Sequence, residues 1–423
     1  PGTRLPLGGY CAATCWLIGA AILSSHLLKV LPQVFQSLAR KNAYWRVATS
    51  QFRRPSGRQK LTVAGLVVAV GMASGMEILT HSFERSVTGW LNQALRADLF
   101  VAVKGIQNAS SQNRISETVW RELMNDPTVD EVEIGHVQKI LFREAPTMLM
   151  GIRSKGAWTD DKLIWAARPD ETVQLDAARP DGRWPALISE SFSTRYGLTR
   201  NDEIELPSPS GLKRIRILGV YADYGNERGV LLMDGPLLCS WYHDTRALNM
   251  AVTLKTGTDA ARVREHWTVR HPGLAIRTNG ALRKEVLTIF HQTFAVTNAL
   301  KVIGVCVAIS GLALALFSLL TDRRRELITL RELGFERRGI AKAVAIEGTL
   351  LSVIGLAGGL ILSLALGYLL IFVINKQSFG WTLAYAVSAW SMALLAAGVL
   401  LAAVTTGYSI GHWAGQVKGE QSE

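Results

Sequence analysis

The chain is poor in cysteine, and one of its regions has no acidic residue at all. Four cysteines are spread over 423 residues. Cys11, Cys15 and Cys306 lie in or beside apolar segments, which leaves Cys239 alone in the long polar stretch, so no internal disulfide holds that stretch together. Cys11 and Cys15 share a helical face, the usual setting for small packing residues in an apolar helix. Catalytic signatures are missing too. There is no Gly-Lys pair, which excludes a phosphate-binding loop of the G-x-x-x-x-G-K-[ST] kind, and H-E-x-x-H does not occur. The eight histidines are scattered along the chain. The residues therefore offer no catalytic, cofactor-binding or metal site, and we expect no enzymatic activity in this chain.

Charge is unevenly spread along the sequence. Five stretches, residues 11–30, 61–80, 302–320, 343–374 and 383–410, are almost free of it. Each has at least the roughly 20 residues needed to cross about 30 Å of hydrocarbon. Between the second and third lies a polar segment, residues 88–284, of ordinary soluble composition. The expected fold is a mostly α-helical membrane protein with about five transmembrane helices and one inserted globular domain.

The formal net charge is +12, but its placement argues against nucleic acid. Arg40, Lys41, Arg46, Arg53, Arg54, Arg58 and Lys60 lie between the first two spans with no acidic residue among them. Arg323, Arg324, Arg325, Arg331, Arg337, Arg338 and Lys342 lie between the third and fourth. Short loops rich in Lys and Arg mark the cytoplasmic side. Threading the spans in order puts both loops on that side, and the large domain and the short loop at Lys376 outside.

Four regions follow. Residues 1–60 hold a preceding span and an amphipathic interfacial helix, in which Phe35, Leu38, Trp45, Ala48 and Phe52 recur among basic positions. Residues 61–96 are a span that continues outward as a stalk, its apolar stripe running through Phe83, Val87, Trp90 and Leu91. Residues 97–280 form the outer domain. Its strand-like and helix-like segments are mixed without a regular βαβ repeat, which reads as α+β. Residues 281–423 hold a second stalk helix, with Leu282, Val286, Ile289 and Phe290 on its stripe, then three spans. Two such helices should pack side by side.

Glu77 and Glu347 fall within or beside spans, where ionised groups are costly. Glu77 sits near the outer end of its span and either snorkels to the surface or faces protein. Glu347 sits near the inner end of its span, within reach of Arg337, Arg338 or Lys342, and a structural ion pair is favoured there over proton relay. Gly71 with Gly75, and Gly355 with Gly359, are small-xxx-small pairs that let helix backbones approach closely.

The segment after the third span runs from Thr321 through Arg325-Glu326 and Leu330-Arg331-Glu332-Leu333-Gly334-Phe335 to Glu347-Gly348. It resembles the FtsX-like permease family, which includes the MacB and LolC/LolE transporters. The positions matching that pattern are Arg325, Glu326, Leu330, Arg331, Leu333, Gly334 and Glu347. Phe335 stands where a small residue is commoner. The order of one span, large outer domain and three spans fits as well. The first span lies outside that unit, so the chain looks like the C-terminal half of a longer two-unit permease.

The resemblance implies an outer domain of the MacB periplasmic-core type and a multi-pass subunit of a bacterial inner membrane, with the large domain periplasmic. It further implies a short cytoplasmic helix at Arg325–Phe335 that docks on a separate ABC ATPase, with ATP and Mg bound there. Closure of the ATPase would pass through this helix to the stalk and outer domain. The partners implied are that ATPase, a second permease half or identical copy, the bilayer, and a periplasmic protein. Three functions fit this build to different degrees: export or extraction of a lipophilic or lipoprotein-like substrate, transmembrane signalling to a periplasmic cell-wall hydrolase, and a membrane-anchored enzyme. The last is weakest, since no catalytic constellation appears.

Overall fold

The computed structural model describes residues 6–28, 43–50, 52, 55–105, 113–154, 162–170, 173–176, 182–226, 228–322, 329 and 336–414. In chain order its main elements begin with helices α1 (Leu7–Leu27), α2 (Ala43–Ser50) and α3 (Gly57–Ala94). The central part holds β1 (Leu99–Val103), α4 (Glu117–Met124), β2 (Val129–Phe142), β3 (Ala145–Arg153), β4 (Trp165–Ala167), β5 (Trp184–Ser189), α5 (Glu190–Tyr196), β6 (Glu203–Ser208) and β7 (Gly211–Tyr221). It continues with β8 (Val230–Asp234), α6 (Gly235–Tyr242), β9 (Asn249–Leu254), α7 (Ala260–Arg270) and β10 (Leu274–Thr278). Four helices close the chain: α8 (Asn279–Asp322), α9 (Arg337–Tyr368), the short α10 (Lys376–Phe379) and α11 (Ala389–Ala414).

The chain divides into two compact units. One comprises Pro1–Phe83, Thr293–Ile374 and Ala384–Glu423, the other Glu84–Gln292 and Asn375–Leu383. Among the described residues four helices are long and apolar enough to cross a membrane: Leu7–Ser24, Gly57–Ala94, Arg337–Phe379 and Ala389–Trp413. The third of the five expected spans falls in α8, where the apolar stretch among the described residues is Val302–Gly311. A turn of π-helix, Leu369–Asn375, prolongs α9 toward α10.

Phe35 and Leu38 of the expected interfacial helix lie outside the described residues. Its remainder is α2, and the apolar stripe meets protein: Phe52 is fully buried, and Trp45 packs on a core containing Val63, Val67, Leu350 and Leu351. The amphipathic pattern was legible; that a neighbouring helix would cover it was not.

In the second unit ten strands form one mixed sheet in the order β10-β1-β9-β2-β3-β8-β5-β7-β4, with β6 paired to β7. The β2–β3 hairpin turns on Arg143 and Glu144, both at positive φ (48° and 64°), as a two-residue turn between twisted antiparallel strands requires. The β3–β8 and β5–β7 pairs are parallel. Two cores result. Leu99, Val101, Ile134, Met250 and Val252 pack under Trp120 of α4 and Trp267 of α7. Leu149, Ile188, Ile217, Leu231 and Met233 pack with Phe192 of α5 and Trp241 of α6. Trp120 donates to the Thr245 carbonyl (3.0 Å) and Trp267 to Asp126 (2.9 Å), so each buried indole keeps a partner.

The mixed sheet agrees with the α+β expectation. The strands at 165–167 and 184–189 and helix α6 were not anticipated. The apolar run Gly235–Tyr242 lacks helical periodicity, and only its start was marked, by Asp234 as N-cap and Pro236 in the first turn.

Candidate functional site

The residues assigned to ATPase coupling, Arg325, Glu326, Leu330, Arg331, Leu333, Gly334 and Phe335, lie outside the described residues. The glycine pairs, by contrast, occupy one helix interface within the membrane unit. On α3, a Cβ added to Gly71 would stand 2.7 Å from Leu362 Cδ2, and one on Gly75 would stand 3.3 Å from Leu366 Cβ. On α9, a Cβ on Gly355 would collide with Leu66, and one on Gly359 would stand 2.7 Å from Val70 Cβ and 3.1 Å from the Val67 carbonyl. Each helix thus presents small residues to large ones on the other, so the backbones lie close and dispersion contacts are dense. Gly358 against Val67 and Gly367 against Ile78 extend the same seam.

At one end of this pair Ser56 and Gln59 form a reciprocal cap. The Gln59 backbone N–H donates to Ser56 Oγ (3.3 Å), and the Ser56 N–H donates to Gln59 Oε1 (3.0 Å). The remaining Gln59 Nε2 donates to Glu347 Oε1 at 2.8 Å, with Gln59 fully buried and Glu347 nearly so. Glu347 therefore ties α9 to the first turn of α3. Arg337, Arg338 and Lys342, its expected partners, are exposed, and Lys342 lies over the Tyr44 ring at 5.7 Å. Glu77 is half-buried on α3.

The two helices flanking the outer domain touch within each unit. Phe83 and Phe294 lie 5.2 Å apart between ring centroids in the membrane unit. In the outer unit Asn279 Nδ2 donates to the Leu95 (2.7 Å) and Ala97 (2.9 Å) carbonyls, and Arg283 donates to Asn92.

The short loop between the last two spans, Asn375–Leu383, belongs to the outer unit. Glu190, in the first turn of α5, accepts two hydrogen bonds from Thr382, from its N–H (3.0 Å) and from its hydroxyl (2.6 Å). The Tyr224 hydroxyl donates to the Thr382 carbonyl (3.2 Å), and the Tyr224 ring meets Trp381 edge-on at 6.0 Å and Trp90 at 6.3 Å. Asn375 Nδ2 donates to the Trp381 carbonyl (2.9 Å), closing the loop on itself. Gly380 has φ +81° and would place a Cβ 3.0 Å from Ser191 Cα, so only glycine suits both the turn and the approach. Burial, then the charge of Glu190, push the Tyr224 phenol up, which keeps it a donor. Next to it, burial raises the Asp223 carboxyl, while Asn226 Nδ2 and the Gly225 N–H, each at 2.8 Å, pull it back down. Sequence reasoning missed Glu190, Tyr224 and Thr382. Glu190 and Thr382 are 192 residues apart, and no local signal joins them. Gln59 was findable, because Ser56-x-x-Gln59 has capping-box spacing.

Cys239 packs inside the α6 core, where burial raises its thiol to about 11, leaving it inert as a nucleophile near neutrality. Among the described residues no group of three or more His, Cys, Asp or Glu side chains is placed to hold a metal.

Residues 298–411 match the family model described as FtsX-like permease C-terminal. The chain is similar to an uncharacterized ABC transporter permease protein of Mycobacterium tuberculosis, 26% identical over 351 residues. That match covers 80% of this chain, which spans 40% of the relative's length. Among solved structures it is similar to the periplasmic region of MacB from Actinobacillus actinomycetemcomitans, with TM-score 0.33 and 10% identity over 46% of this chain and 94% of that one. It is also similar to the extracellular domain of the noncanonic ABC-type transporter YknZ from Gram-positive bacteria, with TM-score 0.29 and 15% identity over 43% of this chain and 99% of that one.

Proposed function

On the premise that residues 298–411 are the C-terminal region of an FtsX-like permease, we propose that this chain is the membrane subunit of an ABC-type transporter in a bacterial inner membrane. It relays movement driven by a separate cytoplasmic ATPase, which holds ATP and Mg, to a periplasmic domain that exports or extracts a lipophilic or lipoprotein-like substrate. The observation carrying this reading is helix length. The two helices flanking the outer domain have 38 and 44 residues. At about 1.5 Å per residue these reach about 57 and 66 Å, roughly twice the 30 Å hydrocarbon layer. Rods of that length transmit displacement where a Gly/Ser-type linker would absorb it.

The interlocked α3–α9 seam makes the helix that leads into the outer domain move with the helix that follows Arg325–Phe335. Force enters at the basic segment, where Arg331 supplies charge and Leu333 an apolar anchor. Reversing the charge in Arg331→Glu together with Leu333→Asp should leave membrane insertion intact and abolish the chain's stimulation of its ATPase. Undiminished stimulation would overturn the relay. Co-purification from mild detergent separates cargo transport from signalling: bound lipid or lipoprotein supports transport, and a soluble cell-wall hydrolase in its place overturns it.

A further inference from the structure

The outer unit contains a cavity of about 570 Å³, lined between Trp90 and Leu282. This is within the range of about 300–1,000 Å³ usual for small-ligand sites. It lies on the face of the sheet turned away from the α4–α7 core. Alternation along the strands creates the two faces. Leu99, Val101, Met250 and Val252 are buried on one, and Phe100, Ala251, Thr253, Glu131 and Glu133 are half-buried on the other. The floor is low at Ala251, whose side chain is small, while at Gly135 the Asn249 side chain occupies the place a Cβ would take. Phe100, Met150, Ile152, Leu163 and Leu282 supply an apolar wall.

The charged groups in this cavity are unequally engaged. Glu133 accepts from Lys162 Nζ and from Ser154 Oγ, both at 2.9 Å, which neutralises it internally. Glu131, two residues away on the same face, has no hydrogen-bond or ion-pair partner among the described residues, and neither has Arg96 at the rim. Glu131 faces Thr253 across β9 on one side. Asp98 bonds Val252 from the other side, and Arg96 precedes it by two residues. The strand carrying Glu131, β2, and the strand that Arg96 precedes, β1, are two strand spacings apart with β9 between them, roughly 10 Å.

We infer that this cavity binds a zwitterionic amphiphile, its ammonium group on Glu131, its anionic group on Arg96 and its hydrocarbon against Phe100 and Ile152. A purely anionic head would leave Glu131 repelling it, and a purely cationic head would do the same at Arg96. Two opposite unpaired charges beside an apolar wall select a head that carries both signs. The inference rests on the transport reading and narrows its lipophilic substrate to this class.

The test uses the full chain in a neutral maltoside detergent and lysophosphatidylethanolamine carrying a photoreactive diazirine on its acyl chain. Labelling should map to the cavity wall and be competed by unlabelled zwitterionic lysolipid, far less by lysophosphatidylglycerol or an alkyltrimethylammonium. Glu131→Gln and Arg96→Gln should each lower affinity by about tenfold, the scale of one charged hydrogen bond. Ala251→Leu, which fills the floor and keeps both charges, should lower it too. Each variant is first checked for wild-type circular dichroism. Absent labelling, equal competition by the anionic lysolipid, or labelling unchanged in both charge variants would overturn the inference. Because no ATPase takes part, failure here is distinct from failure of the relay, which the Arg331 and Leu333 variant reads.

Discussion

At the scale of single residues, function depends on what is small and what is neutral. Gly359 faces Val70 across the α3–α9 seam with no room for a side chain. In Gly359→Leu the helices must separate or the side chain must leave its rotamer, at a cost of about 1–3 kcal/mol. We expect a lower thermal midpoint in detergent for this variant and an unchanged one for Gly8→Ala, where a Cβ meets nothing within 4 Å. His136 is a different case. It is buried in β2, its Nδ1 lies 3.1 Å from the Arg246 carbonyl, and its Nε2 has no partner among the described residues. Burial lowers its pKa below 6.5, helped by the nearby Arg153 charge, against the smaller opposing pull of the Arg246 carbonyl hydrogen bond and then of Asp244 and Glu117. In the window between the two values the unfolded chain binds a proton that the folded chain refuses. Stability contributed by neutral His136 is therefore complete above the unfolded value and is lost as pH falls through the folded one. The wild-type thermal midpoint should drop more steeply than that of His136→Gln between about pH 7 and about pH 5; parallel slopes would show that His136 is not the titrating group.

At the scale of elements, the loop Asn375–Leu383 is the feature with the largest consequence. It is nine residues long by its bounds and joins two membrane-length helices, yet it is folded into the outer unit by Glu190, Tyr224 and Ser191. Replacing Thr382 by Val removes the hydroxyl bond and leaves a half-buried carboxylate short of a partner, worth about 1–3 kcal/mol. Thr382→Val should therefore raise amide exchange across residues 379–383 measurably. Glu190→Gln, whose Oε1 can still accept from the Thr382 N–H while its Nε2 donates to the Thr382 hydroxyl oxygen, should raise it less. Equal exchange in wild type and Thr382→Val would mean that the loop is held by Trp381 packing alone. The same element shows why some structure was legible and some was not. The α5 and α7 starts were marked by Ser189 and Asp259, whose side chains accept from Phe192 and Ala261. Nothing local marks Glu190 as a loop anchor.

At the scale of the whole molecule, the charge-free stretches, the basic loops between them and the long polar insert established a membrane protein with one inserted domain. Hydrocarbon thickness and the cost of burying charge act on any helix regardless of its neighbours. The glycine pairs could be found by spacing for the same kind of reason, since a backbone that must approach another closely needs a missing Cβ wherever it meets its partner. The partners themselves, Leu362 for Gly71 and Gln59 for Glu347, were decided only by the tertiary structure. So were the order of the ten strands, the docking of the last outer loop, and the cavity floored by Ala251 and walled by a helix end. These rest on contacts between residues far apart in sequence, and such contacts depend on loop closure and the shapes of opposing faces, which no local pattern encodes.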